Sequence, residues 1–193
     1  MEIRSLILEL AYSPARAFDR LKDTDFLKWS VILLAVRWIV TAANTVTNMY
    51  LHRSPMAIRP PFGIEKDTYR FYEIFWYGPF GVLIMLIIVL ALFLIGRRYY
   101  RNPQISFRKT FEIVSLSFFT PWLPTVPGDY LLILTVNARP EFLIPFHVII
   151  LTWECWLVSL GFRRIFGVEF RRSAFLALVA GGLFFGLGGL LIR

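Results

Sequence analysis

The chain has one cysteine and two histidines among its 193 residues. A lone thiol, Cys155, excludes an intrachain disulfide and a metal site built on cysteines. His52 and His147 are far apart in sequence, and neither sits in an HExxH or equivalent spacing, so no metal is expected. No Ser, Thr or Cys stands beside a histidine in a nucleophile elbow, and no glycine-rich phosphate loop occurs. The sequence therefore predicts no catalytic residue, no cofactor and no enzymatic activity. Acidic residues are also scarce, 13 against 21 Lys and Arg, for a net charge of +8. The bases are spread over short segments between apolar runs instead of forming one patch, which argues against a nucleic-acid partner. The opening MEIRSLILELAYS has too short an apolar core for a cleaved signal peptide.

What the chain has in quantity is apolar surface. Hydrophobic residues make up 57% of it and aromatics 17%, well above ordinary soluble domains, which predicts a polytopic membrane protein. The length suits one helical bundle and leaves no room for a separate catalytic domain. We expect an all-α fold with residues 1–25 as an amphipathic segment and 26–193 as a single transmembrane domain. Its five helices span about 26–49, 72–95, 110–136, 142–162 and 174–192. In 1–25, Ile3, Leu6, Ile7 and Leu10 form a stripe opposite charged residues, and Ser13-Pro14 reads as a cap and first turn. Such a segment either lies in the headgroup region or caps the bundle. The second span has no polar residue over 82–95 and should be the most lipid-exposed. The third is interrupted by Pro121, Pro124 and Pro127, with Asp129 near the start of its second half, so it should be kinked or broken. Gly182 and Gly186 in the fifth make a GxxxG pair, which is read first as packing within the chain and second as a dimer contact.

The polar residues inside the spans are the candidate site. Arg37, Thr41, Asn44, Thr45 and Asn48 fall on one face of the first span. His147 and Glu154, seven residues apart, share a face of the fourth. Arg37 and Glu154 are the clear opposite charges at depth, where an unpaired charge is costly, so pairing is the simplest way to accommodate both. They form either an ion pair that fixes helix order or a polar ligand site, with Asn44 and Asn48 as neutral partners and His147 as a titratable neighbour. The basic connectors, with Arg97, Arg98, Arg101, Arg163, Arg164, Arg171 and Arg172, suit anionic lipid headgroups. With five spans, fourteen Lys and Arg fall on the amino-terminal side and six on the other, so the positive-inside rule predicts a cytoplasmic N-terminus and an external C-terminus.

Three segments in order carry a family resemblance: SPARAFDRLKD before the first span, SFRKTFEIVSLSFFTPWLP in the third, and ECWLVSLGFRRIFGVEFRRS leading into a Gly/Ala-rich last helix. Together they resemble the Yip domain family of five-span membrane proteins, whose eukaryotic members were named for interaction with Ypt/Rab GTPases. Pro14, Phe18, Phe107, Pro121, Trp153, Gly161 and Phe166-Gly167 match best, and none of them is catalytic. The short 1–25 segment departs from the larger cytosolic region of eukaryotic members and points to a prokaryotic plasma-membrane protein. The resemblance implies a scaffold or accessory role in membrane organisation, acting through lipids, a partner membrane protein or a homo-oligomer. The other reading is a small-solute, ion or lipid transporter or channel that uses the polar face.

Overall fold

The computed structural model describes residues 3–51, 76–136 and 140–191. The polar loop expected over 50–71, including His52, and the turn at 137–139 lie almost wholly outside these residues. Among the described residues the chain is all helical. Two short helices, α1 (Ile3–Tyr12) and α2 (Pro14–Lys22), precede α3 (Leu27–Leu51). Next comes α4 (Gly81–Leu94), flanked by π-helical turns at Trp76–Phe80 and Ile95–Tyr99. The remaining helices are α5 (Phe107–Trp122), α6 (Thr125–Val136), α7 (Pro140–Phe166) and α8 (Phe170–Leu191). Among the described residues four stretches are long and apolar enough to cross a membrane: Leu27–Asn44, Gly78–Tyr99, Ile144–Phe166 and Phe170–Leu187.

Local sequence explains the helix ends. Ser106 is extended and its hydroxyl accepts the Lys109 amide at 3.3 Å, a side-chain cap that starts α5. Gly167 ends α7 at φ +64, a left-handed conformation that glycine adopts without steric penalty. Its amide reaches Arg163 O at 3.1 Å, and the Val168 amide reaches Phe162 O at 3.3 Å, so these two carbonyls near the end of α7 are satisfied.

α5 is the central helix, with every residue from Thr110 to Trp122 buried. It packs against α3, α4 and α7, while α8 covers α7 and α4. α4, expected to be the most lipid-exposed helix, is no more exposed than the other spanning stretches. Ile84, Met85, Ile88, Val89 and Leu92 are buried, and Leu83, Ile87, Leu90 and Leu94 face outward. A helix without polar residues can serve core and lipid equally well, so sequence alone does not set its rotation.

The amino-terminal helices, too short to cross a bilayer, turn their apolar faces onto the bundle. Leu6, Leu10, Ala17, Phe18 and Leu21 are fully buried, in one cluster with residues of α5 and α7. Withdrawing a Leu or Phe from water is worth roughly 1.5–3 kcal/mol each. Between helices in lipid that driving force is absent and close packing replaces it. Gly161 provides such packing: a Cβ there would come within 2.6 Å of Ile113 and 3.1 Å of Phe18. One residue from each family-like segment therefore meets at this junction.

Candidate functional site

Arg37 on α3 and Glu154 on α7 form an ion pair, with Nη1 3.0 Å from Oε1. Arg37 is 5% exposed and Glu154 2%. The same Nη1 donates to the carbonyl oxygen of Phe118 on α5. That carbonyl lies next to the break in backbone bonding that Pro121 causes, because proline has no amide to offer Ser117 O. The guanidinium also lies 5.5 Å from the ring centres of Trp38 and Phe118 and 5.4 Å from that of Phe184. One arginine thus binds an acid, a carbonyl and three aromatic faces drawn from α3, α5, α7 and α8. Cation–aromatic contacts strengthen when desolvated, to about 2 kcal/mol. Ser30 and Thr120 are buried nearby in sequence on the same helices, and Ser117 lies beside Phe118.

The rest of the polar stripe extends away from this pair. Thr41 Oγ1 donates to Arg37 O at 2.8 Å, and Asn44 is half-buried. The side chains of Thr45 and Asn48 lie outside the described residues. His147 does not join Glu154. It is exposed, and its Nε2 is 3.4 Å from Asp129 Oδ1, an approach without hydrogen-bond geometry. Two residues seven apart share a helix face, but α7 changes neighbours along its length, meeting α6 near His147 and α5 near Glu154.

A second polar centre, absent from the sequence reading, lies where α2, α3 and α5 meet. Glu112 on α5 is fully buried and accepts the Phe26 amide at 3.3 Å. Lys109 Nζ lies 2.7 Å from Glu112 Oε2 and donates to Leu21 O at 2.7 Å and Thr24 O at 2.5 Å. Arg108 pairs with Asp25 and, at 3.5 Å, with Glu112. Lys109 therefore caps the carbonyl end of α2, and Glu112 faces the amide end of α3. Each charge matches the partial charge of the helix terminus it meets. The Arg108 bond holds the Asp25 carboxyl below its ordinary value of 3.8. The signal in the sequence was the spacing of Arg108 and Lys109, four and three residues before Glu112 on one helix.

The prolines separate α5 from α6, with Leu123 and Pro124 between the two helices and Pro127 and Asp129 in the first turns of α6. The GxxxG pair does not pack within the described residues. A Cβ at Gly182 or Gly186 meets nothing within 4 Å, whereas one at Gly181 would lie 2.6 Å from Cys155 Sγ. The close approach of α8 to α7 falls one residue earlier than the motif suggests. All seven connector arginines are exposed. Their connectors lie side by side: Asn102 Nδ2 donates to Phe166 O at 3.2 Å, and Tyr100 Oη to Arg172 O at 3.4 Å. Arg164 reaches Asp19 of α2 at 3.6 Å. The basic residues thus gather with the amino-terminal helices at one end of the bundle.

Among the described residues no group of three or more His, Cys, Asp or Glu could hold a metal ion. Apolar spanning helices around an internal ion pair, with basic connectors at one end, define an integral membrane helical bundle. The sequence matches the Yip1 domain over residues 8–192, and the chain belongs to that family. No curated protein and no solved structure matches it.

Proposed function

We propose that this chain is a non-enzymatic membrane protein of the Yip type, a scaffold or accessory protein in membrane organisation that works through lipid and protein contacts. The closed Arg37–Glu154 pair carries this reading. A solute pathway along the polar face needs those charges open to water, whereas here each is the other's partner and both are enclosed. A buried pair of this kind serves best as a registry device between helices.

In this reading α5 and α6 together make the third of five crossings, which puts the chain ends on opposite sides. The fourteen-base side is then cytoplasmic and the C-terminus external, in a prokaryotic plasma membrane. The seven connector arginines rest against anionic headgroups, and Gly182 and Gly186 are open to a partner helix.

The test uses single cysteines in a Cys155→Ser background, reconstituted in liposomes. A membrane-impermeant thiol reagent should label Arg98→Cys from one side and leave Glu154→Cys unlabelled from both. Labelling at 154, in a variant whose near-UV circular dichroism matches that of the unsubstituted protein, would overturn the scaffold reading in favour of a water-accessible transport path. Labelling of 98 and of the 137–139 turn from the same side would overturn the five-crossing arrangement.

A further inference from the structure

Trp38 of α3 lies against Gly81 of α4, in the space a Cβ would fill, and closes the gap between these helices at that level. Toward the amino-terminal helices the gap opens into a cleft of about 420 Å³, within the roughly 300–1,000 Å³ of small-molecule sites. Its walls are Leu27, Val31 and Leu34 of α3 and Val82 and Leu86 of α4, and Phe111 of α5 forms its floor. The cleft opens sideways, on the surface of helices apolar enough to lie in a bilayer.

At its mouth the chemistry changes. Leu27, Val31 and Arg108 also line an adjoining open hollow, together with Asp25, Lys28 and Trp29. Lys28 is exposed and makes no ion pair among the described residues. Arg108 uses Nη2 for Asp25 and Nε for Glu112, so its Nη1 has no hydrogen bond among the described residues. Guanidinium carries five donors in a fixed fork, and holding two in place orients the remainder. Trp29 is 39% exposed beside them, as suits an indole at the level of lipid headgroups. A carbon-lined cleft below two available cationic donors is complementary to a molecule with an apolar chain and an anionic head.

We infer that the cleft between α3 and α4 is a binding site for one acyl chain of an anionic phospholipid, whose phosphate is held by Lys28 and Arg108. The inference rests on the reading of this chain as a lipid-embedded protein. It adds a defined site and a preferred lipid charge to the general headgroup contacts of the connectors.

The test places the full chain in phosphatidylcholine nanodiscs doped with phosphatidylglycerol that bears a photoactivatable group on one acyl chain. Labelled residues are then mapped. Labelling at Val31, Leu86 and Phe111 should exceed that at Leu178, an exposed residue of α8, while the same chain on phosphatidylcholine should label all of them alike. Lys28→Gln leaves the Arg108–Asp25 contact in place and should lower cleft labelling about fivefold, the effect of one base near an anionic headgroup. Ala35 of α3 also lines the cleft, so Ala35→Trp should fill it and reduce labelling there to the Leu178 level. Excess inorganic phosphate should change nothing. Competition by phosphate, equal labelling by both lipids, or chain-to-chain cross-links through the cleft would each overturn the proposal, the last in favour of a protein occupant. Absence of labelling at every position would instead sink the lipid-embedded reading on which it rests.

Discussion

The carboxylate of Glu112 accepts the amide of Phe26 across a sequence distance of 86 residues, fully buried. Through this bond and the neighbouring Lys109, α5 grips the turn between α2 and α3 from both sides. Glu112→Ala leaves Lys109 without its acid and the Phe26 amide without an acceptor, and should destabilise the protein by roughly 3–5 kcal/mol. Glu112→Gln keeps the acceptor and should be milder. Thermal unfolding in detergent, followed by near-UV circular dichroism, checks the order of the two.

The Arg37–Glu154 pair makes a different prediction, because two charges share one enclosure. Either Arg37→Leu or Glu154→Leu alone strands a buried charge and should cost roughly 3–5 kcal/mol, while the double variant removes both and should lose less than the sum. Exchanging the two charges should restore expression relative to either single variant. Strictly additive losses would show that the two residues act independently.

Glycine positions separate packing from open surface. Gly161→Ala pushes a Cβ toward Ile113 and Phe18 and should destabilise by about 1–3 kcal/mol through overpacking. Gly182→Ala meets open space within the described chain and should leave the unfolding temperature of the monomer unchanged or slightly raised, since alanine favours a helix over glycine. Should Gly182→Ala prove as harmful as Gly161→Ala in a chain shown to be monomeric, the outward placement of α8's glycine face would be wrong.

Asp25 gives a pH dependence of defined sign. Its carboxyl is held below the ordinary 3.8 in the folded state, chiefly by Arg108 and then by the Leu27 amide. A depressed folded value means that its contribution is present above pH 3.8 and is lost as pH falls through the lower folded value. Asp25→Asn should therefore flatten the fall in stability below about pH 4 and leave the profile above it parallel to wild type. An unchanged acid limb would exclude Asp25 as its source.

The helices themselves were legible, because long apolar runs bounded by Pro, Gly and basic clusters leave few alternatives. The first span was expected over 26–49 and runs Leu27–Leu51; the last was expected over 174–192 and runs Phe170–Leu191. Arg37 and Glu154 stood out because charge at depth demands a partner. Glu112 did not, since it sits in a charged cluster at a helix start, where acids and bases ordinarily face water. Its burial depends on α2 arriving from outside the helix that carries it. The fate of His147 was hidden for the same reason: helical spacing gives the face of a residue but not the neighbour opposite. The apolar stripe of α1 was plain, yet lipid and protein are equally acceptable to leucine. Only the tertiary contact of Leu6 and Leu10 shows which one it meets.

The junction of Phe18, Ile113 and Gly161 also bears on how the molecule is made. α2 is synthesised before α7, and its seat is incomplete until α7 has been made. Contacts so distant in sequence are slow to form, and domains assemble in the order that synthesis allows. Phe18, Leu21 and their neighbours therefore lack this cover until α7 has been made. A chain halted before residue 161 leaves Phe18 without its seat on α7.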